Sequence, residues 1–482
     1  MSEPRITRAD VGLRSERGPI LLAVMLSTGL VAIDATILAT AVPAIVRDLG
    51  GLTEFPWLFS VYLLAQAVTV PVYGKVADLF GRKPVMLVGI GLFLLGSLLC
   101  GLAGSMGSLI AFRVVQGLGA GAVQPIGMTI VGDIYSVAER AKVQGYLASV
   151  GAVSSVLGPT LGGFFSDYVD WRWIFFVNLP VGAAALWWLV RRFDERVQRQ
   201  RHRIDVTGAA LLGVGGTTLL LALLEGGQRW AWDSATSLGM FGASVVLLAA
   251  FVVVERRAAE PILPLWVLRR RTLVSANLSS FVVGTLTIGL ASYVPLYAQG
   301  VLDAGAVVAG LALAGMMIGW PISASQSGRL YLGIGFRATV MIGAVLVAAG
   351  GGVLVTVGQA SSIWHLGLAC FVMGLGCGRV NSPSVVAAQS AVTWRSRGGV
   401  TGANMFARSV GSAVGVAVLG AIANAKVSGG GDVVLEDLGP DALAPALHAV
   451  FVVAALVGVA LLFTGFLMPD RVEEADRVAP PA

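Results

Sequence analysis

Long apolar stretches alternate with short polar segments along most of this chain. A helix needs about 20 consecutive apolar residues to cross a bilayer, and fourteen stretches meet this criterion. The pattern therefore predicts an all-α membrane protein. The predicted spans lie near residues 20–41, 57–76, 84–103, 108–131, 143–165, 173–191, 206–224, 237–254, 273–295, 306–326, 338–357, 363–387, 399–423 and 446–467.

Two basic segments divide these spans into groups of six, two and six. We predict two six-helix bundles with two inserted central helices, because rocking transporters are built from such related halves with the substrate site between them. The predicted order is a cytoplasmic tail 1–19, an N-terminal bundle 20–191, a basic linker 192–205, an inserted pair 206–254, a second basic linker 255–272, a C-terminal bundle 273–467 and a cytoplasmic tail 468–482.

Composition and charge placement support this interpretation. Hydrophobic residues make up 56% of the chain and charged residues only 12%, about half the charged share of a soluble domain. If the N-terminus is cytoplasmic, 26 of the 33 Lys and Arg residues lie on the cytoplasmic side. This bias follows the positive-inside rule, so we expect a multi-pass protein of the plasma (inner) membrane with both termini in the cytoplasm. The net charge of +6 then reflects topology, and we expect no nucleic-acid partner.

Several kinds of chemistry lack a signature in the sequence. A phosphate-binding loop of the Gly-x-x-x-x-Gly-Lys-Ser/Thr type is absent, which argues against ATP-driven transport within this chain. The histidines are isolated, so we expect no metal site, and the cysteines lie in apolar runs without disulfide spacing. We expect no enzyme activity and no cofactor, and we expect a monomer. The residues concerned are His202, His365, His448, Cys100, Cys370 and Cys377.

Asp34 is the most informative residue, because it lies well inside the first span. A carboxylate at that depth costs about 2.5–3.5 kcal/mol on insertion scales and is functional by default. Burial disfavours the charged form, so such a group can exchange protons near neutral pH. We predict proton coupling or binding of a substrate cation at Asp34, the alternative being a structural ion pair. Arg113 in the fourth span lies at a similar depth, and its lateral position relative to Asp34 is left open by the sequence.

The segment Gly74–Lys83 joins the second and third spans and is short and dense in charge. Its order of glycine, acid and base favours a conformational latch between helices over a plain positive-inside loop. The predicted latch residues are Gly74, Asp78, Gly81, Arg82 and Lys83.

The fifth span contains a proline among glycines. Proline removes a helix hydrogen bond, and glycines allow close packing and bending. The pattern fits either a hinge or a static kink. The predicted hinge residues are Gly158, Pro159, Gly162 and Gly163.

Other polar or aromatic residues within the spans are candidates for lining a substrate cavity. Arg408 fits a cavity-lining position and a position that snorkels to the interface equally well. The candidates are Gln116, Gln124, Tyr293, Tyr297, Trp320, Arg379, Asn381 and Arg408.

Several motifs together resemble the major facilitator superfamily, and more narrowly its fourteen-span drug–proton antiporter subfamily. Gly74–Lys83 resembles the superfamily's cytoplasmic motif between spans two and three. Arg113–Gly121 resembles a span-four motif associated with proton transfer, and Gly158–Gly163 a span-five motif of exporters. Ile33–Thr36 resembles the span-one motif of drug exporters, and Trp171–Pro180 a stretch typical of the fourteen-span group.

Pro295–Gln299 and Arg408–Gly411 also look like stretches typical of that group, and the resemblance covers nearly the whole chain. It implies alternating access, export and proton coupling, with Asp34 as the proton or cation site and Arg113 as its relay partner. Thr40 and Ser154 depart from the usual pattern, which has Asn and Gly at the corresponding positions.

The functional expectation is a proton-coupled antiporter for small amphipathic or lipophilic compounds such as drugs, antibiotics and toxic cations. The acids within the membrane are few, which favours lipophilic monocations, neutral amphiphiles or an antibiotic. The alternative is a lipid or endogenous-metabolite translocator of the same fold. A membrane enzyme lacks a catalytic cluster, and a channel would differ from an antiporter in being unable to accumulate substrate against a gradient.

Overall fold

The computed structural model describes residues 11–51, 54–55, 57–195, 205–227, 229–258, 260–263, 265–426 and 439–471. This part of the chain is helical and contains no β-strand. Fourteen helices are long and apolar enough to cross a membrane, which confirms the predicted fold class. They are α1 (Gly18–Leu49), α2 (Trp57–Phe80), α3 (Arg82–Gly101), α4 (Met106–Ile134), α5 (Val137–Tyr168), α6 (Trp173–Arg192), α7 (Val206–Glu225), α8 (Ala235–Glu255), α9 (Arg271–Gly300), α10 (Ala306–Ile334), α11 (Phe336–Val355), α12 (Ile363–Ser390), α13 (Arg397–Lys426) and α14 (Pro440–Leu467).

Short turns connect several consecutive helices. Gly81 alone separates α2 from α3, and Gly335 alone separates α10 from α11. Their φ angles are 97° and 91°, values that favour glycine because it lacks a Cβ. The predicted segment Gly74–Lys83 is therefore mostly helical, and only one of its residues forms the turn.

The helices pack as two groups, α1–α6 and α9–α14, which meet along two seams. One seam joins α2 to α13 and the other joins α5 to α10. We call the end of the molecule that carries Gly81 and Gly335 the latch end; it is the end that charge placement predicts to be cytoplasmic. Close inter-bundle approaches near this end include Gly74 with Gly398 and Gly328 with Ala141.

The inserted helices α7 and α8 pack on each other, and α7 also contacts both α2 and α13. Leu220 of α7 shares one apolar cluster with Val68 of α2 and Ala413 of α13. The inserted pair thus lies over the outer face of the α2–α13 seam.

Some predicted segments fall outside the described residues. These are most of the first basic linker (196–204), the distal N-terminal tail (1–10), most of the distal C-terminal tail (472–482) and the glycine-containing stretch 427–438. The domain boundaries given above therefore stay predictions.

Candidate functional site

The side chain of Asp34 lies inside the N-terminal bundle and makes an ion pair with Arg113. Its Oδ2 accepts a hydrogen bond from Arg113 Nη1 at 2.6 Å. Each residue is only 1% exposed. By helix rise, Asp34 lies ~24 Å from the latch-end start of α1, in the half of the membrane away from the latch. The two residues that the sequence placed at similar depth are therefore also lateral neighbours.

Amide and hydroxyl groups complete the surroundings of Asp34. Its Oδ1 accepts from Gln116 Nε2 at 2.7 Å and from Asn178 Nδ2 at 3.1 Å. Both amides also donate to Ser97 Oγ, at 2.8 and 3.2 Å respectively. Helices α1, α3, α4 and α6 each contribute a side chain to this cluster. The hydrogen bonds around the carboxylate therefore depend on how these four helices pack.

Arg113 is fixed on its other side by α2. Its Nε donates to the carbonyl of Leu58 at 3.1 Å, and its guanidinium lies 4.0 Å from the ring centroid of Tyr62. Its Nη1 also donates to Gln116 Oε1 at 2.7 Å. Removing one member of a buried ion pair costs about 3–5 kcal/mol because the other charge stays buried. Protonation of Asp34 would therefore disturb a tightly coupled cluster.

A second cluster joins the two bundles at the latch end. Both carboxylate oxygens of Asp78 accept backbone N–H groups at the start of α13, from Gly398 at 2.8 Å and from Gly399 at 2.7 Å. The N-terminus of a helix carries partial positive charge and unpaired N–H groups, so it binds a carboxylate well. Asp78 of α2 thereby ties the N-terminal bundle to the C-terminal one.

Arg82 extends this cluster. It contacts Asp78 Oδ1 at 3.2 Å and Asp133 Oδ2 at 2.9 Å, and it also donates to the carbonyl of Trp394. Its guanidinium lies 3.8 Å from the Trp394 ring centroid. Arg397 then contacts Asp133 Oδ1 at 3.1 Å. Two acids and two arginines alternate across the seam with little exposure to water.

The predicted latch residues do not all contact the opposite bundle. Gly74 does, and a Cβ at that position would overlap the carbonyl of Gly398. Lys83 instead faces α6 and its C-terminal extension, where its Nζ donates to the carbonyl of Val190 at 3.0 Å and lies 3.8 Å from Asp194.

The glycines of the fifth span pack against the helix that carries Asp34. A Cβ on Gly158 would overlap the hydroxyl of Thr36, and one on Gly162 would overlap the hydroxyl of Thr40. A Cβ on Gly163 would meet nothing within 4 Å. Helix α5 continues through Pro159 to Tyr168. Two of the predicted hinge glycines thus form a close α1–α5 contact, and the third faces open space.

The predicted cavity-lining residues separate into different environments. Gln116 belongs to the Asp34 cluster. Gln124 lies at the interface between the bundles, where its Oε1 is 3.4 Å from Arg408 Nη2 on α13. Arg379 on α12 donates to Ser323 Oγ at 3.0 Å and to Gln326 Oε1 at 3.3 Å.

Two of the aromatic candidates are packed inside the C-terminal bundle. Tyr297 is 1% exposed and lies 5.0 Å from Phe451, centroid to centroid. Tyr293 is buried and directs its hydroxyl at the Val416 carbonyl, 3.4 Å away. Trp320 and Asn381 are half-buried. The structure therefore favours Gln124, Arg379 and Arg408 over the two tyrosines as groups that border the space between the bundles.

Sequence reasoning missed several members of these clusters. Asp133 is an acid at a span end, which is a signal that could have placed it in the latch. Asn178 and Ser97 are neutral residues among apolar ones and carry no charge signal. Trp394 and Arg397 lie more than 300 residues from Asp78, so only the fold brings them together.

The arrangement of two six-helix bundles around a central seam, with charged groups buried within the bilayer depth, is that of a polytopic membrane transporter. No group of three His, Cys, Asp or Glu residues in the described ranges is placed to hold a metal ion. Comparison with protein families matches residues 24–416 to the Major Facilitator Superfamily. The chain belongs to this superfamily and is a multi-pass membrane transporter of it.

Curated relatives include efflux proteins. The Multidrug transporter protein MdtP of Bacillus subtilis is 36% identical over 415 residues, which cover 86% of this chain and 77% of the relative. The Tetracenomycin C resistance and export protein of Streptomyces glaucescens is 33% identical over 421 residues, covering 86% and 78%. Among solved structures, the human organic anion transporter MFSD10 (TETRAN) matches with a TM-score of 0.65 at 16% identity, covering 93% of this chain and 99% of that one, a likeness of fold.

Proposed function

We propose that this protein is a proton-coupled antiporter that exports small amphipathic compounds by alternating access. Export of drugs or antibiotics agrees with the relatives, several of which are named as multidrug transporters or resistance proteins. We further propose that it resides in the plasma membrane with both termini in the cytoplasm, because the latch end carries most of the positive charge.

The observation that carries the coupling proposal is the sealed Asp34 cluster. Arg113, Gln116 and Asn178 hold the carboxylate by hydrogen bonds. Because the cluster draws side chains from four helices, a proton that neutralises the carboxylate would release these partners and allow the packing of the helices to change.

The latch supplies the other half of the proposed cycle. Hydrogen bonds between described residues of the two bundles extend from the latch end only to the depth of Gln124 and Arg408. The bundles are thus joined at the predicted cytoplasmic end, as expected for the state that faces outward. Breaking these bonds would open the opposite state.

The experiment is uptake of fluorescent amphipathic compounds into everted membrane vesicles under an imposed proton gradient. Asp34→Asn keeps the size of the side chain and removes its titration, and Asp233→Asn, at an exposed position in the α7–α8 turn, is the matched control. We expect gradient-driven uptake in wild type and in the control, and none in Asp34→Asn.

Two outcomes would contradict the proposal. Undiminished uptake in Asp34→Asn would remove this residue from proton coupling. Failure of wild type to accumulate any of several chemically different compounds would reject antiport of drugs and favour the lipid or endogenous-metabolite translocator.

A further inference from the structure

Two arginines lie within membrane-spanning helices of the C-terminal bundle and have no carboxylate partner among the described residues. Arg408 and Arg379 are each eleven residues from the latch-end terminus of their helices, which places both at ~16 Å along the helix axis. Because α12 and α13 have 28 and 30 residues, this position lies in the half of each helix nearer the latch end. Neither arginine has an ion-pair partner among the described residues, whereas Arg82, Arg113 and Arg397 all do.

Arg408 points at the opposite bundle. Its one hydrogen bond is the 3.4 Å contact from Nη2 to Gln124 of α4, which is near the upper limit for such a bond. Among the described residues, Nε and Nη1 of Arg408 have no hydrogen-bond partner, and the side chain is only half-buried. Part of this side chain therefore stays accessible beside α4.

Arg379 lies on α12, which packs against the seam helix α10. Its two hydrogen bonds go to neutral side chains of α10, Ser323 and Gln326, and its Nε is buried without a partner. Ser325, next to these residues, faces Gly145 of α5. The arginine thus lies beside α10, one of the two helices of the α5–α10 seam.

The acidic residues of the membrane region that lie near the bundles' interior pair with other arginines. Asp34 is sealed against Arg113, while Asp78 and Asp133 belong to the latch. The fixed charge that remains along the inter-bundle space, in the described part of the chain, is positive. An unpaired arginine within the membrane is expensive, and such residues mark substrate pathways.

We propose that Arg408 and Arg379 bind an anionic group of the cargo, so that the transported molecule is an amphipathic organic acid. This inference rests on the proposed export function and narrows its substrate class from the lipophilic monocations, neutral amphiphiles or antibiotics that the scarcity of acids had favoured. Guanidinium groups suit a carboxylate, sulfonate or phosphate oxygen because they present several N–H donors in one plane.

Three probes with the same apolar body test the charge preference: pyrenebutyrate, its methyl ester and pyrenebutylamine. Binding is measured by energy transfer from the protein's tryptophans to pyrene, with the full chain in phosphatidylcholine nanodiscs. We expect the acid to bind most tightly. Arg408→Gln and Arg379→Gln should each weaken the acid about tenfold or more, the size of one lost charge-assisted hydrogen bond, and leave the ester within about twofold.

Arg329→Gln is the matched control, because it removes an exposed arginine near the latch end of α10 and should change none of the three affinities. Arg408→Lys keeps the charge and should retain part of the preference for the acid. Thermal unfolding of each variant confirms that the protein is folded. Equal affinity for acid, ester and amine in wild type would overturn the proposal, as would equal weakening of all three probes by Arg408→Gln.

The source of the anion is tested by adding phosphatidylglycerol to the nanodiscs. If this lipid competes with pyrenebutyrate in wild type and not in Arg408→Gln, the bound group is a lipid headgroup; without competition it is the soluble acid. Gradient-driven uptake separates the two proposals. Accumulation of the amine and not the acid would refute this inference and leave antiport standing, whereas arginine-dependent binding of the acid without any uptake would refute antiport alone.

Discussion

Asp133 offers a direct test of whether the latch controls the proposed equilibrium between two transport states. Its carboxylate contacts Arg82 within the N-terminal bundle and Arg397 across the seam. Only the second contact is lost when the latch end opens. In Asp133→Asn both arginines lose a charged partner, and the variant should favour the state with the latch end open.

The size of the effect follows from the one ion pair of Asp133 that crosses the seam. Arg397 lies 3.1 Å from Asp133, and the two side chains are 8% and 9% exposed. A hydrogen bond to a charged group contributes about 1.5–3 kcal/mol, which corresponds to a shift of roughly 10- to 150-fold in the equilibrium. The lower part of this range applies, because Arg397 keeps its bond to the Gly132 carbonyl at 3.0 Å.

The assay is double electron–electron resonance between spin labels on Arg192→Cys and Arg471→Cys. Both positions are exposed at the latch end, one in each bundle, and the native cysteines are replaced by alanine. Asp133→Asn should move population to longer distances, while Asp170→Asn, an exposed acid at the other end of the molecule, should not. Identical distance distributions in Asp133→Asn and the parent protein would refute the assigned role of this carboxylate.

Three further outcomes are expected. Gly158→Val should abolish transport by separating α1 from α5, whereas Gly163→Val, where a Cβ meets nothing within 4 Å, should transport normally; equal uptake by both would contradict the packing argument. Hydrogen bonds from Trp171 and Arg172 lower the pKa of Asp48 below its usual 3.8, so the thermal stability advantage of wild type over Asp48→Asn should be full above pH ~4 and vanish as pH falls through the lowered value. A difference in thermal stability between wild type and Asp48→Asn that persists at lower pH would refute this role of Asp48. Maleimide should label none of the native cysteines until the protein is denatured, because all are buried and free, namely Cys100, Cys370 and Cys377.

The number of helices could be predicted from the sequence because bilayer thickness sets a minimum apolar length for each span. The ends of the helices were less well defined. Helix α2 runs to Phe80, four residues beyond the predicted span, since Asp78 is polar yet buried at the seam. Hydropathy treats such a residue as solvent-exposed, whereas a protein interface that supplies two backbone donors accommodates it.

The site was predictable to the extent that charge at membrane depth is rare. Asp34, Arg113 and Arg408 stand out for that reason. What the sequence could not supply is which helices are neighbours: a similar depth alone does not show that Arg113 lies beside Asp34. Asn178 and Gln116 carry no charge, so their joint position around one carboxylate follows only from the packing of α1, α4 and α6.

The two seams between the bundles differ because helix α7 covers only the α2–α13 seam. This helix packs against α2 through residues that include Val68, and against α13 through residues that include Ala413. If one bundle rotates against the other, α7 must slide against at least one of them. Among the described helices, none bridges the α5–α10 seam in the same way. A hydrophobic molecule that enters laterally from the bilayer would therefore meet a seam covered by α7 on one side and an uncovered seam on the other.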